Sequence, residues 1–81
     1  MTETQIKEVV RKVLGRIAPE ANLEALPSDV NIREALDIDS FDHLNLLIGL
    51  HEELGVEIPE SDYGQLTTLA GIIQYLLARV R

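Results

Sequence analysis

Ser40 stands among three aspartates in the run Leu36-Asp37-Ile38-Asp39-Ser40-Phe41-Asp42-His43, just where a strongly apolar helix is due to begin. A serine in this company allows three kinds of chemistry. Its hydroxyl could satisfy a backbone N–H at the helix start. It could act as a nucleophile, with His43 one turn further on as its base. That second reading fails on context: there is no Gly-x-Ser-x-Gly elbow and no evident oxyanion hole, and an acid-rich first turn would oppose a developing oxyanion. The third reading is a point of covalent attachment. A phosphodiester on Ser40 would lie at the positive end of the helix, where N–H groups without intrahelical partners favour anions. The acids Asp37, Asp39 and Asp42 do not suit a pocket for free phosphate. They suit an exposed serine presented to another, cation-bearing enzyme.

The segment that must position Ser40 is residues 40–54. Asp39 is a good N-cap residue, which puts Asp42 at N3, where a carboxylate complements the helix dipole; Gly55 is a natural terminator. At about 100° per residue, Leu46, Leu47, Leu50 and Leu54 share one side of this helix, which should face a core. Phe41, Leu44 and Ile48 form a second apolar group. Ser40, Leu44 and Ile48, spaced i, i+4, i+8, make one row leading away from the serine, flanked by Asn45, His51 and Glu52. A surface helix needs only one apolar stripe. The second is either buried in a small bundle or an exposed strip rimmed by acids, which marks a protein-binding surface. Periodicity leaves both open.

Further elements frame this helix. Residues 3–17 carry Ile6, Val9, Val10, Val13, Leu14 and Ile17 on one stripe, with Thr2 or Thr4 as candidate cap and Pro19 as stop. Residues 68–80 repeat the spacing with Leu69, Ile72, Ile73, Leu76, Leu77 and Val80, capped by Thr67 or Thr68. The connection from Ala18 to Asp39 is too long to be slack. Its Leu23, Leu26, Val30, Ile32, Leu36 and Ile38 predict an ordered, wrapping loop, with Asn31 and Glu34 marking one short helical turn. Residues 58–64 read as a turn into a short third helix. No alternating strand pattern occurs, so the chain reads as all-α.

At 81 residues the chain is one domain with a limited core. It has no cysteine, which removes disulfides and thiolate metal sites and fits a reducing, cytoplasmic setting. An apolar content of 46% suffices for a packed core. No run is long enough to span a bilayer, and the N-terminus lacks a signal-peptide pattern, so the expectation is a soluble protein without stable membrane binding. The net charge is −7. No Lys or Arg lies between Glu34 and Ala78, where most of the acids fall. That region would repel nucleic acid and acidic lipid and would steer towards basic protein surfaces; solubility alone is the plainer use of such a face.

The stretch "LDIDSFDHLNLLIGLHEELGVEIPE", followed by "LTTLAGIIQYL", resembles acyl carrier proteins over nearly the whole chain. Asp39-Ser40-Phe41 takes the place of the family's Asp-Ser-Leu attachment motif. An acidic second helix, an Ile-Pro turn, a Thr-Thr cap and a last helix follow in order. The resemblance implies a four-helix bundle with a long first loop and a short third helix. It implies that Ser40 would carry 4′-phosphopantetheine, installed from coenzyme A by a phosphopantetheinyl transferase, with acyl groups held as thioesters on the arm's thiol. Asp39 would help hold the transferase's Mg²⁺ during loading, a transient site and not a resident metal. Phe41, Leu44, Asn45 and Ile48 would meet partner enzymes, and Asp37, Asp42, Glu52, Glu53, Glu57 and Glu60 would dock on their basic patches. Leu46, Leu50, Leu54, Ile58, Leu66, Leu69, Ile73 and Leu76 would line an interhelical space able to shelter an acyl chain. The expected protein is a monomeric carrier, not an enzyme.

Phe41 in place of Leu, Asn45 and His51 where fatty-acid carriers often have glutamates, and Tyr63-Gly64 in the third helix each change the recognition face. These departures point to a specialised carrier for lipid, fatty-acid or polyketide-type synthesis. His51 reads most simply as a solvated helix-end residue, with a titrating cation as the alternative. A peptidyl or aminoacyl carrier would more often show glycines before the serine, which Ile38-Asp39-Ser40 lacks. An unmodified acidic interaction domain is the rival from another class. Asp37-x-Asp39 begins like a calcium loop, but Phe41, Asp42 and Ile48 occupy positions that need a ligand, a glycine and a glutamate. His43 and His51 lie more than two turns apart, with no cluster joining them into a zinc site.

Overall fold

The computed structural model describes residues 1–80. Four α-helices, α1 (Glu3–Ile17), α2 (Ile32–Ala35), α3 (Ser40–Leu54) and α4 (Leu69–Arg79), are joined with two 3₁₀ turns at Leu23–Ala25 and Glu60–Gln65. The described residues form no strand; one isolated bridge pairs Asn31 with Thr68. The expected all-α class and the positions of the long helices hold. The short third helix is present as the six-residue 3₁₀ turn, Glu60–Gln65, following Pro59.

Each long helix starts where its capping residue allows. Thr2 and Gln5 form a reciprocal capping box on α1, at 3.1 Å for Gln5 N–H to Thr2 Oγ1 and 2.8 Å for Thr2 N–H to Gln5 Oε1. Thr68 Oγ1 accepts from the Gly71 N–H at the start of α4. The α1 stripe then buries Ile6, Val10, Val13 and Leu14, and α4 buries Leu69, Ile72, Ile73 and Leu76, against Leu46, Leu47 and Leu50 of α3. The α4 stripe differs from expectation at two positions. Leu77 is 42% exposed, and the buried place beside Leu76 belongs to Tyr75, at 4%. Tyr75 tolerates burial because its hydroxyl has a carboxylate partner, Asp62 Oδ2, at 2.6 Å.

α1 and α3 approach closely because Gly49 has no side chain: a Cβ there would fall 2.6 Å from Val13 Cγ1. The long connection is ordered, as expected, and it is stitched to the start of α4. Ile32 N–H donates to the Thr67 carbonyl at 2.8 Å, and Ala70 N–H donates to the Ser28 carbonyl at 2.9 Å. Asn31 Oδ1 caps α2 by accepting from Arg33 and Glu34 N–H. Ile32 is fully buried, while Leu23, Leu26, Leu36 and Ile38 pack partly against the core.

An ion-pair cluster closes the outer seam between α1 and α3. Lys12 Nζ lies 3.2 Å from Glu53 Oε2, and Arg16 Nη2 lies 3.0 Å from Glu53 Oε1. The bonds from Lys12 and Arg16 hold the Glu53 carboxyl below the ordinary value of 4.5. A depressed carboxylate adds stability that is complete above the unfolded-state value and fades as pH falls through the folded one. Denaturant titrations from pH 7 to pH 3 should therefore show an acid-side loss of stability that is smaller in Glu53→Gln and in high salt. An unchanged pH profile in Glu53→Gln would show that the cluster adds nothing.

Candidate functional site

The approach to Ser40 is built by two consecutive caps. α2 ends in a left-handed residue, Asp37, at φ 53. Leu36 N–H bonds back to the Ile32 carbonyl, and Ile38 N–H to the Arg33 carbonyl at 3.0 Å. This 6→1 closure is that of a Schellman motif, in which glycine is the usual occupant of the left-handed position. An aspartate there carries strain that glycine would not. Ile38 then tucks partly into the core, and the chain turns directly into α3.

Asp39 is the N-cap of α3. Its extended backbone (φ −90, ψ −179) lets Oδ1 accept from Asp42 N–H at 2.9 Å, while its carbonyl accepts from His43 N–H at 3.1 Å. Ser40 is the first helical residue and is exposed. Capping is carried out by its neighbour Asp39, so the serine hydroxyl is not needed for it. An accessible hydroxyl at the positive end of a fifteen-residue helix fits a phosphodiester linkage sterically and electrostatically.

From Ser40 the second apolar group runs along open surface. Phe41 is 67% exposed, Leu44 36% and Ile48 44%, whereas Leu46, Leu47 and Leu50 on the other side are at most 2% exposed. Of the two accounts left open by periodicity, the exposed strip is the one found. Asn45, Glu52, Glu57 and Glu60 are exposed, as is Asp37, and Asp42 is half-buried. Glu53, expected among the docking acids, is instead held by Lys12 and Arg16 of α1.

Both histidines of α3 hold the segment that follows it. His43 Nε2 donates to the Leu66 carbonyl and His51 Nδ1 to the Val56 carbonyl, each at 2.8 Å. His51 is exposed in the last turn of α3, as expected, and adds this bond to Val56, while His43 Nε2 is committed to a structural bond, away from any role as base. Between these two bonds, Leu47, Ile48, His51, Ile58 and Tyr63 border an open cleft of about 180 Å³. The residues expected to shelter an acyl chain pack tightly: Leu46, Leu50, Leu66, Leu69 and Leu76 are at most 1% exposed, Ile73 is 4% exposed, and Leu54 and Ile58 pack at the margin.

Sequence reasoning did not single out Asp62, Tyr75 and Arg79. Tyr75 donates to Asp62, Gln65 Nε2 reaches Asp62 Oδ1 at 3.4 Å, and the Arg79 guanidinium stacks 3.6 Å above the Tyr75 ring. Burial, followed by the bond to Asp62, raises the Tyr75 hydroxyl above the ordinary tyrosine value. The group fastens the Glu60–Gln65 turn to α4. The i, i+4 spacing of Tyr75 and Arg79 was the available signal.

Three comparisons bear on this arrangement. The family described as "Phosphopantetheine attachment site" matches residues 4–76. The acyl carrier protein of Lactobacillus johnsonii is 30% identical over 78 residues, covering 94% of each chain. That of Thermosynechococcus vestitus is 29% identical over 75 residues, covering 90% of this chain and 93% of its own. In three dimensions the chain is similar to an acyl carrier protein from Enterococcus faecalis, with a TM-score of 0.78 at 20% identity, over 98% of this chain and 99% of the other. A carrier of this kind holds its cargo on covalently attached 4′-phosphopantetheine and is not itself an enzyme. This chain belongs to the phosphopantetheine-bearing acyl carrier protein family.

Proposed function

We propose that Ser40 is the attachment point of 4′-phosphopantetheine and that acyl groups ride on its terminal thiol as thioesters. The observation that carries this is the exposed Ser40 at the first position of α3, with the cap made by Asp39. During loading, Ser40 Oγ gives up its proton and attacks the pantetheine-side phosphorus of coenzyme A; the new O–P bond replaces the pyrophosphate bond, and 3′,5′-ADP leaves. Asp39 has one oxygen engaged by Asp42 N–H, and the other is the group through which it would meet the transferase's Mg²⁺.

Partner enzymes dock on the strip that leads from the serine. Phe41, Leu44 and Ile48 supply apolar contact, with Asn45 beside them; Glu52 and Glu60, together with Asp37 and Asp42 at the serine end of α3, away from the strip, meet basic patches. A carrier visited by several enzymes in turn is served by weak, salt-sensitive contacts, which such a rim provides. The replacement of rim acids by Asn45 and His51 supports a dedicated partner set in lipid, fatty-acid or polyketide-type synthesis. The protein works as a single-domain monomer in the cytoplasm, where its cysteine-free chain has no need of oxidation.

Incubation with coenzyme A, Mg²⁺ and a broad-specificity phosphopantetheinyl transferase, followed by intact mass, should show the gain of one phosphopantetheine. The gain should vanish in Ser40→Ala. No gain beside an active control would contradict the assignment and favour an unmodified interaction domain. Leu44→Arg should slow loading or partner turnover several-fold while changing stability by no more than about 0.5 kcal/mol. Leu47→Ala, one step round into the core, should cost about 2–5 kcal/mol.

A further inference from the structure

A second concavity opens beside the Ser40 end of α3. It measures about 680 Å³ and runs from the C-terminal end of α1, along the first loop, to the junction of α2 and α3. Leu26, Leu36 and Ile38 give it apolar surface, and Asn22, Asp37 and Asp42 give it polar surface. Ile38 and Asp42 sit two residues either side of Ser40 in sequence. On a helical wheel Asp42 points about 125° away from the mean direction of Phe41, Leu44 and Ile48. The groove and the apolar strip therefore leave the serine on different sides of α3.

We infer that this groove is a resting site for the phosphopantetheine arm of the same molecule, an inference that rests on Ser40 being the attachment point. Three physical points favour this occupant. Ser40 does not itself line the groove, but Asp37, Ile38 and Asp42, which do, lie within three residues of it. Binding is therefore intramolecular; a short flexible tether gives an effective concentration in the millimolar range, and contacts far too weak to capture a free ligand suffice. The arm is chemically mixed, with a dimethyl-substituted carbon that matches Leu26, Leu36 and Ile38. Its amides match the Asn22 side chain and the acceptor oxygens of Asp42. Finally, Asp37 and Asp42 oppose the phosphate, which keeps the hold weak and lets the arm swing out to a partner on the strip side.

The test compares amide and methyl NMR spectra of apo and holo protein, with loading confirmed by intact mass. The expected result is that loading shifts the amides of Ala18, Ala21, Asn22 and Ala25, more than a dozen residues from Ser40. Cross-relaxation should also connect the arm's methyl protons to Leu26 and Ile38. Ala25→Trp, a substitution at an exposed loop position that fills the groove, should still gain the arm's mass and keep its melting temperature, but lose these distant shifts and contacts. If fully loaded protein shows changes confined to the neighbourhood of Ser40, or if Ala25→Trp leaves the distant shifts intact, the groove is not the resting site. A failure to gain mass would overturn the attachment assignment itself, and the resting site with it.

Discussion

A helix must find partners for its first N–H groups, and at the start of α3 that work falls to Asp39. Its Oδ1 accepts the Asp42 N–H at 2.9 Å, and its extended backbone turns the chain from the α2 closure into the helix. Had Ser40 been the cap, its hydroxyl would have been oriented towards the helix interior and engaged with backbone. Moving the cap one residue earlier places Ser40 at the first helical position, exposed and available for esterification. The left-handed Asp37 and the half-buried Ile38 fix the path into this turn, so strain on one side and burial on the other position a single hydroxyl.

The remainder of the molecule keeps α3 rigid while leaving one of its sides open. Leu46, Leu47 and Leu50 lock the helix to α1 and α4, and Gly49 allows α1 to come close. Glu53 ties the C-terminal half to Lys12 and Arg16. His43 and His51 bind the two ends of the following segment, and Asp62 fastens its middle to Tyr75. None of these ties uses Phe41, Leu44 or Ile48. An exposed apolar strip at the rim of a charged surface is costly in solubility, and the proposed docking would offset that cost.

The helices were legible because their signals are local: a cap, a 3.6-residue apolar period and a stop. Asp39, Thr68 and Gly55 all act where the sequence places them. Side-chain direction was less legible where two outcomes share a period. Leu77 and Tyr75 both lie near the α4 stripe, and only the carboxylate of Asp62, thirteen residues earlier, decides that the tyrosine goes inside. The pairing of Glu53 with α1 was hidden for a similar reason, since its cations are 37 and 41 residues away. The bond made by the exposed His51 was hidden because its partner is a backbone carbonyl, which no side-chain pattern reveals. The motif proposed for attachment has its parts adjacent in the chain, whereas the groove beside it draws on α1, the loop and α3 together.

The division of labour between Asp39 and Ser40 can be read directly from chemical denaturation of single variants of the unloaded protein. Asp39→Ala should lose about 1 kcal/mol, the usual loss for an N-cap. Ser40→Ala should change stability by only a few tenths, because alanine is well tolerated at a first helical position whose hydroxyl holds nothing in place. The reverse pattern, with Ser40→Ala costing a full cap and Asp39→Ala almost nothing, would mean that the serine is a structural residue and contradict its role as the presented attachment point.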